Sequence, residues 1–452
     1  MKKTVLITSI TLIVCSALYS ANVFKKTAQA YLFSYPLVLM DATRINMEQR
    51  TPNNSASNLL THMRGLPTHE FRAVVRPNND TLYSIAWFDL SDEPQIISTP
   101  EMNDTYFVLP FMDAWTNVFS TVGTRTTGNQ ATQFALVGPD WKGTLPAQLH
   151  RIDAPTNMVW MIGRTEVKDL KNPQSVFDLQ DQFRLAGLAD WQLGRWKENI
   201  QETSVSINVD TQLSPPDEIA SLDAEQFFDR FSALLMNQYA TIDDQPAIDN
   251  LADLGIVAGE AFAPNMLDEW LMNKAMNVAR QKLLDAATQR EPNEDNWFVI
   301  RDGIGRYGQD YATRAFVALY GLGALPPEEA SYPNTSHDSS HQTLDGQHRY
   351  RIHWDREQLP PVNAFWSLTI YDKAGYMIEN PINRYRMGSN NDLSWNADGS
   401  LELQLQSSAP DTTSANWLPV PKGEFNIVLR MYWPQQEFLD NNWQLPTIER
   451  LP

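Results

Sequence analysis

The chain has 452 residues, enough for about two or three domains with sizeable hydrophobic cores. Apolar residues make up 42% of it and aromatic residues 11%, which excludes a disordered protein. The net charge of -19 argues against a nucleic-acid-binding protein, because neutralising phosphates requires clustered lysine and arginine. The same charge argues against adhesion to anionic lipid.

The N-terminus has the pattern of an export signal, predicted over residues 1–24. A positive pair, Lys2-Lys3, precedes an uncharged stretch from Thr4 to Phe24. Cleavage after Ala17 or Ala21 would release a periplasmic protein, which is the location we predict. An uncleaved anchor is the alternative, because the stretch is just long enough to span a bilayer.

Cys15 is the only cysteine and lies within this stretch. A lipoprotein modified at Cys15 is a third alternative, although Val14 is bulky for the residue before a lipidated cysteine. The chain after the signal has no disulfide, thiolate nucleophile or cysteine metal ligand.

The next segments alternate between helical and β-type patterns. Residues Lys25 to Arg50 predict a helix with a bend at Pro36. From about Ala73 to Val167, short β-type runs separated by turn residues favour a sandwich. We therefore assign residues 25–174 to a helix followed by a first β-sandwich domain.

The middle of the chain, residues 175–325, is predicted to be helical. Phe227 and Phe231 begin an apolar series at helical spacing, and Asp223 with Gln226 forms a capping-box pattern before it. The β pattern returns towards the C-terminus, so residues 326–452 are assigned to a second β-sandwich domain.

Two stretches far apart in the chain look like copies of one strand. Tyr83–Asp89 and Trp366–Asp372 have serine, aliphatic, small, bulky, aromatic and aspartate residues in the same order. An internal duplication is the simplest interpretation. The predicted fold is α+β, mainly β, with two jelly-roll-like β-sandwich domains separated by a helical insertion.

Two motifs resemble known binding sites but favour ordinary loops. Gly303–Gly308 matches a dinucleotide fingerprint, yet that site needs a preceding strand and the surroundings are predicted helical. His337 and His341 could bind zinc if they lay on a helix, but turn residues flank them on both sides. We predict no cofactor and no metal site.

The richest polar cluster lies in the first β region. Asp80 and Asp113 could act as acid and base on a sugar or a similar polyol, and Arg125 could hold charge. The residues that would orient the ligand are Asn78, Tyr83, Trp115 and Asn117. In the structural alternative, the carboxylates satisfy turn backbone and Arg125 is the buried partner of one of them.

Many short pieces of the sequence resemble two bacterial domains of unknown function. Pieces similar to domain family 1254 are Pro77–Ser84, Met112–Val118, Thr124–Gly128, Val137–Gly143 and Val159–Thr165. Pieces similar to domain family 1214 are Asn363–Thr369, Asn383–Tyr385, Asp398–Ser400, Asn416–Pro419 and Arg430–Pro434. The resemblance implies jelly-roll-type sandwiches flanking a helical section in exported bacterial proteins, and it implies no reaction.

Two functions fit these observations. The first is an exported enzyme that hydrolyses or modifies a carbohydrate or another small polar molecule. The alternative is a non-catalytic envelope protein that binds glycans or assembles through its sandwich faces. Both allow a homo-oligomer, neither involves nucleic acid, and membrane contact would come only through an uncleaved N-terminal segment.

Overall fold

The structure is a computed structural model that describes residues 2–49, 57–72, 76–170, 172–202, 213–288, 295–410 and 416–452, without the side chains of residues 2–15, 287 and 288. Arg50 and Ala73, at which two predicted segments end and begin, lie outside the described residues.

Helices and strands each account for 28% of the chain, so the predicted α+β class is confirmed. The helices are α1 (Lys2–Glu48), α2 (Gln174–Gln180), α3 (Leu188–Gln192), α4 (Pro215–Ser221), α5 (Ala224–Leu235), α6 (Gln245–Ala252), α7 (Met266–Thr288), α8 (Tyr311–Gly321) and α9 (Gln436–Leu439).

The strands before the helical section are β1 (Thr61–Met63), β2 (Thr81–Asp89), β3 (Gln95–Thr99), β4 (Phe107–Asp113), β5 (Val118–Gly123), β6 (Thr132–Val137), β7 (His150–Asp153), β8 (Met158–Glu166), β9 (Arg184–Gly187) and β10 (Ile200–Glu202). Those after it are β11 (Ala330–Ser331), β12 (Asn334–Thr335), β13 (Arg349–Trp354), β14 (Val362–Asp372), β15 (Arg386–Gly388), β16 (Leu401–Gln406), β17 (Asn416–Pro419), β18 (Phe425–Pro434) and β19 (Ile448–Leu451).

Each β region consists of two sheets around one core. In the first, a six-stranded sheet of order β10-β1-β2-β8-β4-β5 accompanies a four-stranded sheet of order β7-β6-β3-β9. Phe111 of β4 and Phe134 of β6 belong to their common core. In the second, a five-stranded sheet, β11-β18-β14-β15 with β12 on β18, accompanies the four-stranded sheet β17-β16-β13-β19. Leu368 and Ile352 share that core.

The two β regions repeat one topology. Each four-stranded sheet has a parallel pair at one edge, β6 with β7 and β16 with β17, and antiparallel pairs elsewhere. In the larger sheets, β4 lies between β5 and β8, as β14 lies between β15 and β18. A short helix precedes the last strand of each set, α2 before β9 and α9 before β19. The strands β3 to β9 therefore correspond to β13 to β19.

This topology corrects the strand alignment that suggested the duplication. Tyr83–Asp89 lies in β2, and Trp366–Asp372 lies in β14, whose topological counterpart is β4. β2 pairs with the far side of β8, a position that β11 and β12 occupy beside β18. The matching residue classes reflect two buried central strands that end in aspartate, rather than equivalent positions.

The helical section is organised around α1. This helix packs against α4, α5, α6, α7 and α8, and Tyr31, Phe33 and Leu37 are buried in their common core. The capping box predicted at Asp223 and Gln226 is present at the start of α5. Among the residues that the structure describes, no helix is both long and apolar enough to cross a membrane.

Candidate functional site

The structure places the predicted site residues at two opposite ends of the six-stranded sheet. The carbonyl oxygen of Asp80 accepts a hydrogen bond from Val167 N at 3.0 Å, just beyond the end of β8. Asp113 pairs with Val159, near the start of β8. The two positions are eight residues apart along a strand, which corresponds to roughly 25 Å. Asp80 and Asp113 therefore cannot act as acid and base on one bond, which corrects that hypothesis.

Asp80 is fully buried where the two β regions meet. Its Oδ1 lies 2.9 Å from Arg386 Nε, and its Oδ2 accepts a hydrogen bond of 2.8 Å from Ser367 Oγ. Arg430 Nε is 4.0 Å from Oδ2, and the Tyr432 hydroxyl is 3.4 Å from it. All four partners belong to β14, β15 or β18, so this carboxylate links the first β region to the second.

The two arginines of this network also bind backbone of the first region. Arg386 donates to the carbonyl oxygens of Asn79 at 2.9 Å and Val167 at 3.2 Å. Arg430 donates to the Arg76 carbonyl at 3.1 Å and to the Tyr371 hydroxyl at 2.7 Å. Burial opposes the charge of Arg430, but Tyr371 and Asp80 outweigh it and raise its pKa. Among the described residues, the buried atoms Asp80 Oδ1 and Arg386 Nη1 have no hydrogen-bond partner, but the charges themselves are paired. The network therefore serves as a structural junction.

Asn78 and Tyr83 lie at the same end as Asp80. The side-chain amide of Asn78 donates to the Tyr432 hydroxyl at 2.9 Å, so it takes part in the junction. The ring of Tyr83 lies under the guanidinium of Arg164, 5.4 Å from ring centre to Cζ. Arg164 is buried and donates to the Gly323 carbonyl at 2.8 Å.

Arg125 pairs with neither predicted aspartate. Its Nη2 lies 2.7 Å from the Oε1 of Glu329, a residue that is 1% exposed. Thr121 donates to the same oxygen at 2.7 Å. The structural alternative correctly predicted that Arg125 has a buried carboxylate partner. That partner is Glu329, 204 positions away in the chain, and not Asp80 or Asp113.

Asp113, at the other end, binds its own turn. Its Oδ1 accepts hydrogen bonds from the backbone nitrogens of Trp115 at 2.9 Å and Asn117 at 2.8 Å. The Asn117 side chain donates to Oδ2 at 3.1 Å. Burial raises the pKa of Asp113 to about 6, and these hydrogen bonds limit the rise. The carboxylate thus stabilises a buried loop, as the structural alternative predicted.

The surroundings of Asp113 come from the helical section. Trp115 donates from its indole nitrogen to the Tyr239 carbonyl at 3.0 Å. The guanidinium of Arg314, which is 2% exposed, lies 5.2 Å from the Trp115 ring centre and 5.3 Å from that of Phe33. These aromatic faces stabilise a buried cation. Trp115 and Asn117 therefore join the first sheet to the helices.

The two motifs with known analogues are ordinary loops. Gly303–Gly308 leads into α8 with no strand directly before it, and Gly305 O accepts a hydrogen bond of 2.7 Å from Val118 N. His337 and His341 lie in a loop after β12. Within the described part of the chain, no group of histidine, cysteine, aspartate and glutamate side chains could hold a metal ion.

An open cleft lies beside the Asp80 network. This junction cleft, of about 360 Å³, is lined by the end of α8, the loop at residues 298–304 and the segment of β11 and β12. Its polar side chains include Arg76, Tyr332 and His337. Burial raises the pKa of Tyr332, and the charges of Arg164, Arg430 and Asp80 are near enough to modify it, so the cleft adjoins the network.

Arg76 is the exposed cation of the junction cleft. Its backbone has a φ of 52°, which is uncommon for a residue other than glycine. A hydrogen bond from its nitrogen to the Gly375 carbonyl, at 2.7 Å, holds that conformation. Among the described residues, its guanidinium has no carboxylate partner, whereas Arg386 and Arg430 behind it do.

A larger groove of about 620 Å³ lies between α1, α7 and α8. Its walls are mostly aliphatic and aromatic, with Ala28, Ala279 and Ala312 among them. Neither this groove nor the junction cleft is lined by any of the predicted site residues. The junction cleft is smaller but has more convergent polar groups, which makes it the better candidate for a polar ligand.

These features define a class of mixed α+β proteins in which two topologically equivalent β regions flank a helical section. Residues 57–187 match DUF1254, a protein of unknown function, and residues 329–436 match DUF1214, with the same description. The N-terminal and C-terminal parts of the chain therefore match these two domain families, which confirms the resemblance seen in the sequence.

Two solved structures are similar to this chain. The VPA0106 protein from Vibrio parahaemolyticus is 23% identical, with 95% of this chain and 100% of that one covered, and its TM-score of 0.70 shows a common fold. An uncharacterised protein from Burkholderia cenocepacia is 12% identical over 96% of each chain, with a TM-score of 0.46. No protein of curated function matches the sequence significantly.

Proposed function

We propose that the protein is an exported binding protein for a small polar molecule that carries an anionic group, with acidic sugars as the class to test first. The observation that carries this proposal is the junction cleft, which combines an exposed, unpaired Arg76 with the polar side chains of Tyr332 and His337. Ligand sites commonly occupy clefts between structural units and combine apolar walls with a few polar groups.

The lining of the cleft suits such a ligand. Arg76 offers a planar donor set for a carboxylate. The Tyr332 hydroxyl has no hydrogen-bond partner among the described residues, and His337 Nδ1 is 3.2 Å from Ser336 Oγ. Phe298 and Ile304 supply apolar surface for the carbon face of a ring.

Binding has more support than hydrolysis. Hydrolysis of a glycoside by the usual route needs two carboxylates within about 10 Å of one another. Asp80 and Asp113 are at opposite ends of one sheet, and each is engaged by neighbouring groups. The enzyme hypothesis has therefore lost the residue pair on which it depended.

Thermal unfolding in the presence of sugars tests the proposal. We expect glucuronate to raise the melting temperature and glucose to raise it less, since a ligand at 100 times its Kd stabilises by about 2.7 kcal/mol. Arg76→Gln should abolish the glucuronate shift and leave the unliganded melting temperature within a degree or two of the parent.

Arg184→Gln is the matched control, because Arg184 is also exposed but lies on β9, away from the cleft lining. It should keep the full glucuronate shift. If both variants lose the shift equally, or if no acidic sugar shifts the parent protein, the proposed function is wrong.

A further inference from the structure

Five large apolar side chains are exposed together where α1 and α7 meet at one tip of the helical section. They form the tip patch, which consists of Leu18 (66% exposed), Tyr19 (48%), Met266 (87%), Leu267 (53%) and Trp270 (58%). Adjacent exposed apolar residues of this size mark an interaction surface more often than isolated ones do.

A specific contact holds the two parts of the tip patch together. The Tyr19 hydroxyl lies 2.8 Å from each carboxylate oxygen of Asp268, in the first turn of α7. Asn265 also donates to Asp268, at 2.7 Å, which fixes that turn. Leu18 of α1 and Leu267 of α7 each precede one partner of this contact, so the contact holds the two leucines near one another.

The chain itself indicates what covers the patch. α1 runs without interruption from Lys2 to Glu48, and the residues from Thr4 to Phe24 carry no charge. Among the described side chains of residues 16–24, Val23 is the first that is buried, at 7% exposed. The tip patch thus lies beside the described end of this uncharged stretch.

We propose that the N-terminal segment is retained as a membrane anchor and that the tip patch lies in the interfacial layer of a lipid bilayer, beside the uncharged first part of α1. Tyrosine and tryptophan are enriched at this depth, where an apolar ring and a polar edge are both accommodated. Asp268 and Glu269 at the start of α7, with a net charge of -19, disfavour attraction to anionic lipid. The contact is therefore apolar, and a bilayer of zwitterionic lipid is sufficient to form it.

A single environment-sensitive label on the full chain tests this orientation. Cys15 is the only cysteine, so Cys15→Ser gives a background for Trp270→Cys labelled with a nitrobenzoxadiazole dye. We expect its emission to rise several-fold on addition of phosphatidylcholine vesicles and to be quenched by a nitroxide on the lipid head group. Unchanged emission at high salt would agree with an apolar contact.

Trp395→Cys in the same background is the matched control, because Trp395 is 51% exposed but belongs to the second β region. Its label should stay in water. The proposal is overturned if the two labels respond alike, if the chain does not bind the vesicles, or if binding requires phosphatidylglycerol and disappears in salt. Glucuronate binding in the junction cleft is measured without lipid, so the two proposals can fail separately.

Discussion

Asp80 and Asp113 are two buried carboxylates at opposite ends of one sheet, and they are stabilised in different ways. Asp80 lies 2.9 Å from Arg386 and 4.0 Å from Arg430, two arginines that are more than 300 positions later in the chain. Asp113 accepts hydrogen bonds from backbone and side-chain nitrogens within four residues. A buried aspartate at a turn can therefore pair with groups from a distant part of the chain or accept hydrogen bonds from its own loop. Which of the two occurs depends on the groups that the fold places around it.

The largest expected effect is at the Asp80 end. Asp80→Asn leaves Arg386 and Arg430 buried without their carboxylate, and breaking a buried pair from one side costs about 3–5 kcal/mol. Urea unfolding measures this loss. A free energy of unfolding within 1 kcal/mol of that of the parent protein would show that the carboxylate contributes little to the junction.

Asp113→Asn, in contrast, should make the folded protein more stable than the parent at neutral pH. The folded pKa of Asp113, about 6, lies above its ordinary 3.8, so the folded state holds the proton more tightly. The protonated form contributes stability below pH 4, and this contribution is lost as the pH rises to 6. The loss amounts to at most ~3 kcal/mol at 1.36 kcal/mol per pKa unit.

An asparagine at position 113 can still accept from Trp115 N but does not ionise. Relative to the parent protein, the variant should therefore gain stability between pH 4 and pH 6, as measured by urea unfolding at each pH. A difference between the two proteins that stays constant across this range would contradict the burial of an ionisable Asp113.

Two buried serines allow a hydrogen bond to a carboxylate to be compared with one to a neutral group. Ser367 donates to the Asp80 carboxylate at 2.8 Å, whereas Ser84 Oγ lies 2.9 Å from the neutral partner His62 Nδ1. Bonds to charged groups contribute about 1.5–3 kcal/mol and neutral ones about 1 kcal/mol. Ser367→Ala should therefore destabilise more than Ser84→Ala in equilibrium unfolding, and the reverse order would contradict this ranking of the two bonds.

The smallest effect is expected for the longer of the two hydrogen bonds that the Asp80 carboxylate accepts. The Tyr432 hydroxyl is 3.4 Å from Asp80, so Tyr432→Phe should cost about 1 kcal/mol. Tyr371→Phe is the comparison, because its hydroxyl lies 2.6 Å from the Pro77 carbonyl and 2.7 Å from Arg430. Equal melting temperatures for the two variants would show that these distances do not rank the bonds.

Local patterns in the sequence predicted the parts of the fold that depend on local physics. The capping residues Asp223 and Gln226, and the short β runs on either side of the helices, follow from spacing and turn chemistry. The loop around Asp113 was foreseen as the structural alternative, because aspartate commonly bonds backbone nitrogens two residues on.

Contacts between distant segments could not be predicted in this way. Nothing near Asp80 in sequence indicates Arg386 or Arg430, since Arg386 begins the short strand β15 and Arg430 lies within the mostly apolar strand β18, both hundreds of residues away. An arginine inside such a strand is itself a signal, because a buried cation requires a partner. Residue classes also misaligned β2 with β14, since burial imposes similar patterns on unrelated central strands.

The most direct test of the junction is a double-mutant cycle between Asp80→Asn and Arg386→Gln, measured as the free energy of unfolding in urea. The structure predicts that the double variant is more stable than the sum of the single losses implies, by at least 1 kcal/mol, because the two groups are in contact. Losses that add to within about 0.5 kcal/mol would contradict a coupled pair and with it the structural role assigned to Asp80.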